Sequence, residues 1–381
     1  MNQITDVTLM DQLDELAAFE PNGSPFISLY LNMQPDQHGR DNFESFVRKE
    51  FNARAKSFAP ESEELASFKS DTARIRTYLR DEVRPSANGL AIFASVGDDD
   101  YFKAIQLDAP IPRHRLHVSE RPHLYPLARL IDQHPRYVAL LADTNSARLF
   151  VFGLGKVLDR KELHNVKMNR TQVGGWSQMH YQRHVDNYHL HHAKEVVEML
   201  DRVMREEEAE HLILSGDEVI ISLLREYLPD RLRQKVIDVL RLDVRTPEHE
   251  VLKETMEALR EHNLQTDAEK VRLLLDEYRA GGLAIVGFRD TAKALDQGQV
   301  DELLLSASAR DIRYGEEDFD HALMDDAPTG QPVRNDRETQ LTAPDLLVTR
   351  ARQTGARVTF IEDPAILAGV GGVGAFIRYR I

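Results

Sequence analysis

Gly174 and Gly175 precede Trp176, Ser177 and Gln178, and this run gathers the residues best placed for contact or chemistry at a loop tip. Paired glycines let the backbone take conformations that other residues resist. Trp176 is the only tryptophan in the chain, set where no core obviously needs it. Between Lys156 and Arg183 there are six basic residues (Lys156, Arg160, Lys161, Lys167, Arg170, Arg183) against two acidic ones, a local excess of four in a chain of net charge -15. Such a patch suits RNA phosphates, with a solvated charged loop as the plainer alternative. Five histidines (His180, His184, His189, His191, His192) follow within thirteen positions. His180 and His184 share a helical face at i,i+4, but no carboxylate completes a His-Glu-x-x-His pattern, so no metal site is assigned.

Other candidates carry less. Gly369-Val370-Gly371-Gly372-Val373-Gly374 lacks the Lys-Ser/Thr ending of a phosphate loop and leads into a strand, so its glycines are expected to allow close packing and a bend. Asp143, after an apolar strand, reads as a turn residue because no further carboxylates can be placed with it. No Gly-x-Ser-x-Gly elbow precedes a helix, which leaves serine hydrolase chemistry unsupported. Without cysteine there is no disulfide framework, thiolate zinc site or cysteine nucleophile. The acidic balance argues against a general nucleic-acid coat, so any RNA contact must be local. No run approaches a membrane span, and the first residues lack signal-peptide character; a cytoplasmic protein with no membrane and no DNA partner is the expectation.

The elements that must position these residues form three α/β segments. The first, residues 1–130, has strands at Phe26–Leu31 and Gly89–Ala94 with two charged helices between. A proline cluster at Pro112, Pro122 and Pro126 marks a joint near 115–135. The second, 135–280, has strands at Tyr137–Ala142, Ala147–Phe152 and His211–Gly216. It also carries the Gly-Gly-Trp loop, a long helix with a Val196, Val197, Leu200, Val203, Met204 stripe, and a charged helix ending at Gly281-Gly282. The third, 283–381, holds an acidic insert at 311–342 with nine acidic and three basic residues, read as a mobile loop.

Taken together, Gly174-Gly175-Trp176-Ser177 with Tyr181-Gln182-Arg183, and the C-terminal Thr354-Gly355-Ala356-Arg357-Val358 and Gly371-Gly372-Val373-Gly374-Ala375-Phe376-Ile377-Arg378-Tyr379, resemble the archaeal and eukaryotic release-factor superfamily. The bacterial branch, related to Pelota and to Vms-type peptidyl-tRNA hydrolases, is the nearest match. That resemblance implies an α/β multidomain fold: an N-terminal α/β domain, a ribonuclease-H-like middle domain, and a C-terminal α/β/α domain like kink-turn RNA binders. The implied partners are the ribosome, through rRNA and the P-site peptidyl-tRNA, with a translational GTPase escort left open and no cofactor. The implied activity is peptidyl-tRNA hydrolysis in codon-independent rescue, with non-enzymatic hibernation or recycling at the A site as the alternative. Gln178, with Gly174 and Gly175, would position water and stabilise the oxyanion, while Trp176, Ser177, Lys167, Arg170 and Arg183 would meet RNA. This chain departs from the family pattern in placing Trp176 at the position of the family's glutamine, and no Asn-Ile-Lys-Ser stop-codon motif occurs in its first segment.

Overall fold

The computed structural model describes residues 9–21, 23–35, 43–96, 100–154, 156–164, 177–315 and 342–380, with backbone alone at 164 and 177–186. The chain divides into two compact units, one formed by residues 1–133 with 266–381 and the other by residues 134–265.

The first unit begins with α1 (Leu9–Ala17), β1 (Phe26–Asn32), α2 (Phe43–Ala55), α3 (Glu63–Asp81), β2 (Gly89–Ser95), β3 (Tyr101–Leu107), β4 (Arg115–Ser119) and α4 (Tyr125–Gln133). Its four strands make an antiparallel sheet in the order β3-β2-β1-β4. β1 is buried from Phe26 to Leu31, Ser28 included, because both of its faces are covered. Ile27, Leu29 and Leu31 pack with Val47 and Phe51 of α2 and Phe68 and Ile75 of α3. On the opposite face Phe26 meets Phe19 edge-on at 4.6 Å, and the Tyr30 hydroxyl donates to the His123 carbonyl at 2.5 Å. The boundary between the units at 133/134 falls within the range 115–135 expected for a joint, directly after α4, and the earlier part of that range holds β4, registered on β1. The prolines flank these elements rather than interrupt them: Pro112 and Pro122 lie outside β4, and Pro126 takes the second position of α4, where no helical N–H is lost.

The second unit contains β5 (Tyr137–Ala142), β6 (Ser146–Gly153), β7 (Lys156–His164), α5 (Ser177–Glu206), β8 (His211–Gly216), α6 (Glu218–Tyr227), α7 (Asp230–Arg233), β9 (Val236–Leu240) and the first part of α8 (Glu248–Arg279). The sheet order is β7-β6-β5-β8-β9, with β5, β6 and β7 antiparallel in sequence and β8 and β9 parallel to β5. Three meandering strands followed by two parallel ones is the arrangement expected of a ribonuclease-H-like domain. The α5 stripe of Ala193, Val196, Leu200 and Val203 buries against Val138, Leu140, Leu149 and Leu212 on one face. Tyr137, Phe150 and Ile213 face Val251, Ala258 and Leu259 of α8 on the other. The result is a three-layer α/β/α sandwich.

The remainder of the first unit has β10 (Ala284–Val286), α9 (Phe288–Asp296), β11 (Val300–Ser306), α10 (Ala343–Gln353), β12 (Arg357–Ile361), α11 (Pro364–Leu367) and β13 (Val373–Ile377). The sheet runs β10-β13-β11-β12, with β11 and β12 parallel and the other pairs antiparallel. Val271 and Leu274 of α8 join Leu304, Ile361 and Leu367 in its core. The unit boundary thus falls at 265/266 inside α8, ahead of the Gly281-Gly282 stop, because α8 carries apolar residues for both units in succession. The late glycines are packing residues. A Cβ at Gly372, whose φ is 77°, would meet the Asp311 carbonyl at 2.5 Å, and one at Gly374 would meet Leu274 Cδ2 at 2.5 Å. Most of the acidic insert, 316–341, lies outside the described residues.

Candidate functional site

The strand β7 ends at His164 and α5 opens at Ser177, so the Gly-Gly-Trp segment joins the edge of a five-stranded sheet to the N-terminus of a 30-residue helix. Gly174, Gly175, Trp176, Lys167 and Arg170 lie outside the described residues. Ser177, Gln178 and Arg183 are placed as backbone in α5, with Ser177 and Gln178 in its first turn. The first N–H groups of a helix have no intrahelical acceptors and carry the positive end of its dipole, which favours anions and developing negative charge. Leu200, Val203 and Met204 anchor the other end of α5 in the core.

The basic flank is partly neutralised. Arg160 pairs with Glu162, which also lies 3.5 Å from Arg148, while Lys161 sits 3.7 Å from Asp159 and 3.3 Å from Glu206. These contacts tie β7 to its neighbours and reduce its offer to phosphate. The phosphate-contact reading therefore concentrates on Lys167, Arg170 and Arg183. Of the clustered histidines, His192 is fully buried; burial pushes its pKa down, against the pull of the Ser146 and Asp143 backbone. His191 is exposed and lies 3.5 Å from Glu195. His180 and His184 have no described side chains. Asp143 is a turn residue, as expected: its Oδ1 accepts from the Asn145 and Ser146 N–H groups, each at 2.7 Å.

A second constellation, in the first unit, has no counterpart in the sequence reading. His123 Nδ1 lies 2.5 Å from Asp345 Oδ2, and the Tyr125 N–H donates to Asp345 Oδ1 at 3.0 Å. The Thr342 hydroxyl also donates to Asp345 Oδ2. The His117 ring stacks on His123 with centroids 4.5 Å apart. Burial pushes the Asp345 carboxyl up, but His123, the Thr342 hydroxyl and His117 outweigh it, so its pKa lies below the ordinary carboxylate value. His117 goes the other way: burial, reinforced by its electrostatic interaction with His123, takes it down to about 4. His123 and Asp345 are 222 positions apart, so no spacing pattern could announce the pair.

Residues 122–260 match the model of bacterial archaeo-eukaryotic release factor family 10. Peptide chain release factor subunit 1 of Thermoplasma acidophilum is 23% identical, over 96% of this chain and 94% of that protein. The Archaeoglobus fulgidus protein of the same name is 22% identical, over 97% and 96%. Among solved structures, Archaeoglobus fulgidus Pelota aligns over 98% of this chain and 93% of its own at 13% identity, with a TM-score of 0.34. Residues 122–260 thus match a bacterial family of the archaeo-eukaryotic release-factor type, and nearly the whole chain is similar to archaeal peptide chain release factor subunit 1. Among the described residues no helix is long and apolar enough to cross a membrane.

Proposed function

We propose that this protein is a cytoplasmic ribosomal A-site factor that hydrolyses the ester of peptidyl-tRNA in codon-independent rescue of ribosomes. The observation that carries the reading is the end-to-end similarity to peptide chain release factor subunit 1, with the glycine pair standing between β7 and α5. In this role the paired glycines let the chain approach the P-site ester closely. Gln178 orients the attacking water, and backbone N–H groups beside it stabilise the oxyanion that forms as water adds to the ester carbonyl. Lys167, Arg170 and Arg183 meet rRNA or tRNA phosphates, with Trp176 and Ser177 against RNA. No cofactor is needed for this chemistry, and a translational GTPase is the natural class of escort.

One observation favours a second reading. Trp176, and not glutamine, follows the glycine pair. A factor without glutamine in register would occupy the A site to protect or clear idle ribosomes without hydrolysis. The two readings separate in a peptide-release assay on ribosomes carrying labelled P-site peptidyl-tRNA. The hydrolase reading expects Gln178→Ala to slow release by roughly 10²–10³-fold, the usual cost of losing an oxyanion or positioning group, while co-sedimentation with ribosomes persists. Wild-type protein that binds but releases nothing establishes the hibernation reading. Wild-type protein that neither binds nor releases sinks both.

A further inference from the structure

The first unit encloses a donor set that the release-factor reading does not use. One ligand atom from each of His117, His123 and Asp345 can be chosen so that all three lie within 4.8 Å of one another. Asp345 is fully buried and His123 is 8% exposed. His117 Nε2 is buried and has no hydrogen-bond partner. An unpartnered buried nitrogen of this kind costs free energy and asks for an explanation. Its neighbours point to one. Two imidazoles and a carboxylate are the donors of borderline divalent cations, above all zinc, whereas magnesium and calcium prefer all-oxygen shells.

We propose that His117, His123 and Asp345 form a binding site for a zinc-class divalent cation. Zinc held at ~2.0–2.1 Å by each donor places tetrahedral ligand atoms roughly 3.3 Å apart, within reach of ångström-scale side-chain adjustment. The ion takes the place of the proton between His123 Nδ1 and Asp345 Oδ2, which leaves for solvent. It also supplies the partner that His117 Nε2 lacks, and water completes the shell. The surrounding hydrogen bonds already fix the ligands. The Tyr125 N–H and the Thr342 hydroxyl hold the Asp345 carboxylate, and the backbone N–H of His123 donates to Ser28 Oγ at 2.9 Å, which fixes the segment that carries the ring. Outer contacts of this kind orient first ligands in metal sites. Because His117 belongs to β4, His123 to the segment before α4, and Asp345 to α10, the ion would cross-link three stretches of the first unit.

The experiment is zinc loading of the full-length protein, read by elemental analysis after exhaustive dialysis and by visible absorption after replacement with cobalt(II). The histidines of α5 are the rival site, so His117→Ala and His117→Gln are compared with His191→Ala. The expected result is one tightly held ion per wild-type chain, lost in both His117 variants and kept in His191→Ala. Zinc should also raise the melting temperature of wild type and leave that of His117→Gln unchanged. Because the His117 ring packs on His123, His117→Ala is expected to melt below metal-free wild type and His117→Gln nearer to it, so the zinc-dependent shift within each protein is the readout. Failure of wild-type protein to retain zinc at micromolar concentration overturns the proposal. So does retention of the ion by the His117 variants, or its loss from His191→Ala alone.

Discussion

Neutralising Asp132 should make the first unit more stable at alkaline pH and leave it nearly unchanged in acid. Asp132 sits on α4, and its Oδ2 accepts the Phe360 N–H of β12 at 3.0 Å. Burial raises its pKa from 3.8 to about 7; Asp267 and Glu362 add to the rise, and the Phe360 N–H and Lys270 oppose it. Between roughly pH 4 and pH 7 the folded state therefore keeps a proton that the unfolded chain gives up. Stability must fall as pH rises through that window and level off above it. A displacement of about three pKa units corresponds to a ceiling of ~4 kcal/mol at 1.36 kcal/mol per unit, and relaxation with water entry reduces it to roughly 1–3 kcal/mol. Asp267 titrates in the same direction, with burial raising it to about 6, so the wild-type slope has at least two contributors. Asp132→Asn keeps an oxygen for the Phe360 N–H and removes the charge. Denaturant titration at pH 5 and pH 8, with hydrogen exchange of α4 and β12 peptides as the readout specific to this unit, should show a gain of that size at pH 8 and roughly a third of it at pH 5. An equal effect at both values, or a loss at pH 8, would refute the assignment of a destabilising buried charge.

The basic flank predicts that replacing Lys167, Arg170 and Arg183 with glutamine weakens co-sedimentation with ribosomes and flattens its salt dependence, since each phosphate contact releases counterions. Unchanged binding would remove this segment from the RNA contact. The domain division 1–130, 135–280 and 283–381 is a proposal that limited proteolysis can judge. Composition places the first cuts within 311–342, and first cuts inside the buried stripe of α5 would count against it.

The parts of the fold legible in the sequence are those where burial is one-sided or complete. Tyr137–Ala142 and His211–Gly216 read as strands because the centre of a covered sheet demands continuous apolar runs, and both lie in the middle of the five-stranded sheet. The α5 stripe was legible for the same reason at helical spacing. β4 was not: Arg115-Leu116-His117-Val118-Ser119 is short, polar and set among prolines, and only its pairing with β1 makes it a strand. The boundary inside α8 was hidden because an unbroken helix gives no local stop where one core ends and another begins. The His117, His123 and Asp345 cluster depends wholly on tertiary contact, so the sequence could not offer it.

The loop is the reverse case. Its residue types drew attention at once, but their chemistry depends on where the helix begins. Because α5 starts at Ser177, Gln178 already belongs to the helix, whereas Trp176 precedes it. Gln178 takes its position from a helix whose far end is fixed in the core by Leu200 and Val203. If Gln178 performs hydrolysis, its precision then comes from α5 as a rigid lever, and the glycines serve approach to the ester. That arrangement makes the helix register itself a determinant of release. A single alanine inserted between Gln178 and Met179 rotates the glutamine by about 100° around the helix axis relative to the core-anchored remainder of α5. It should abolish hydrolysis even though every side chain of the loop is retained.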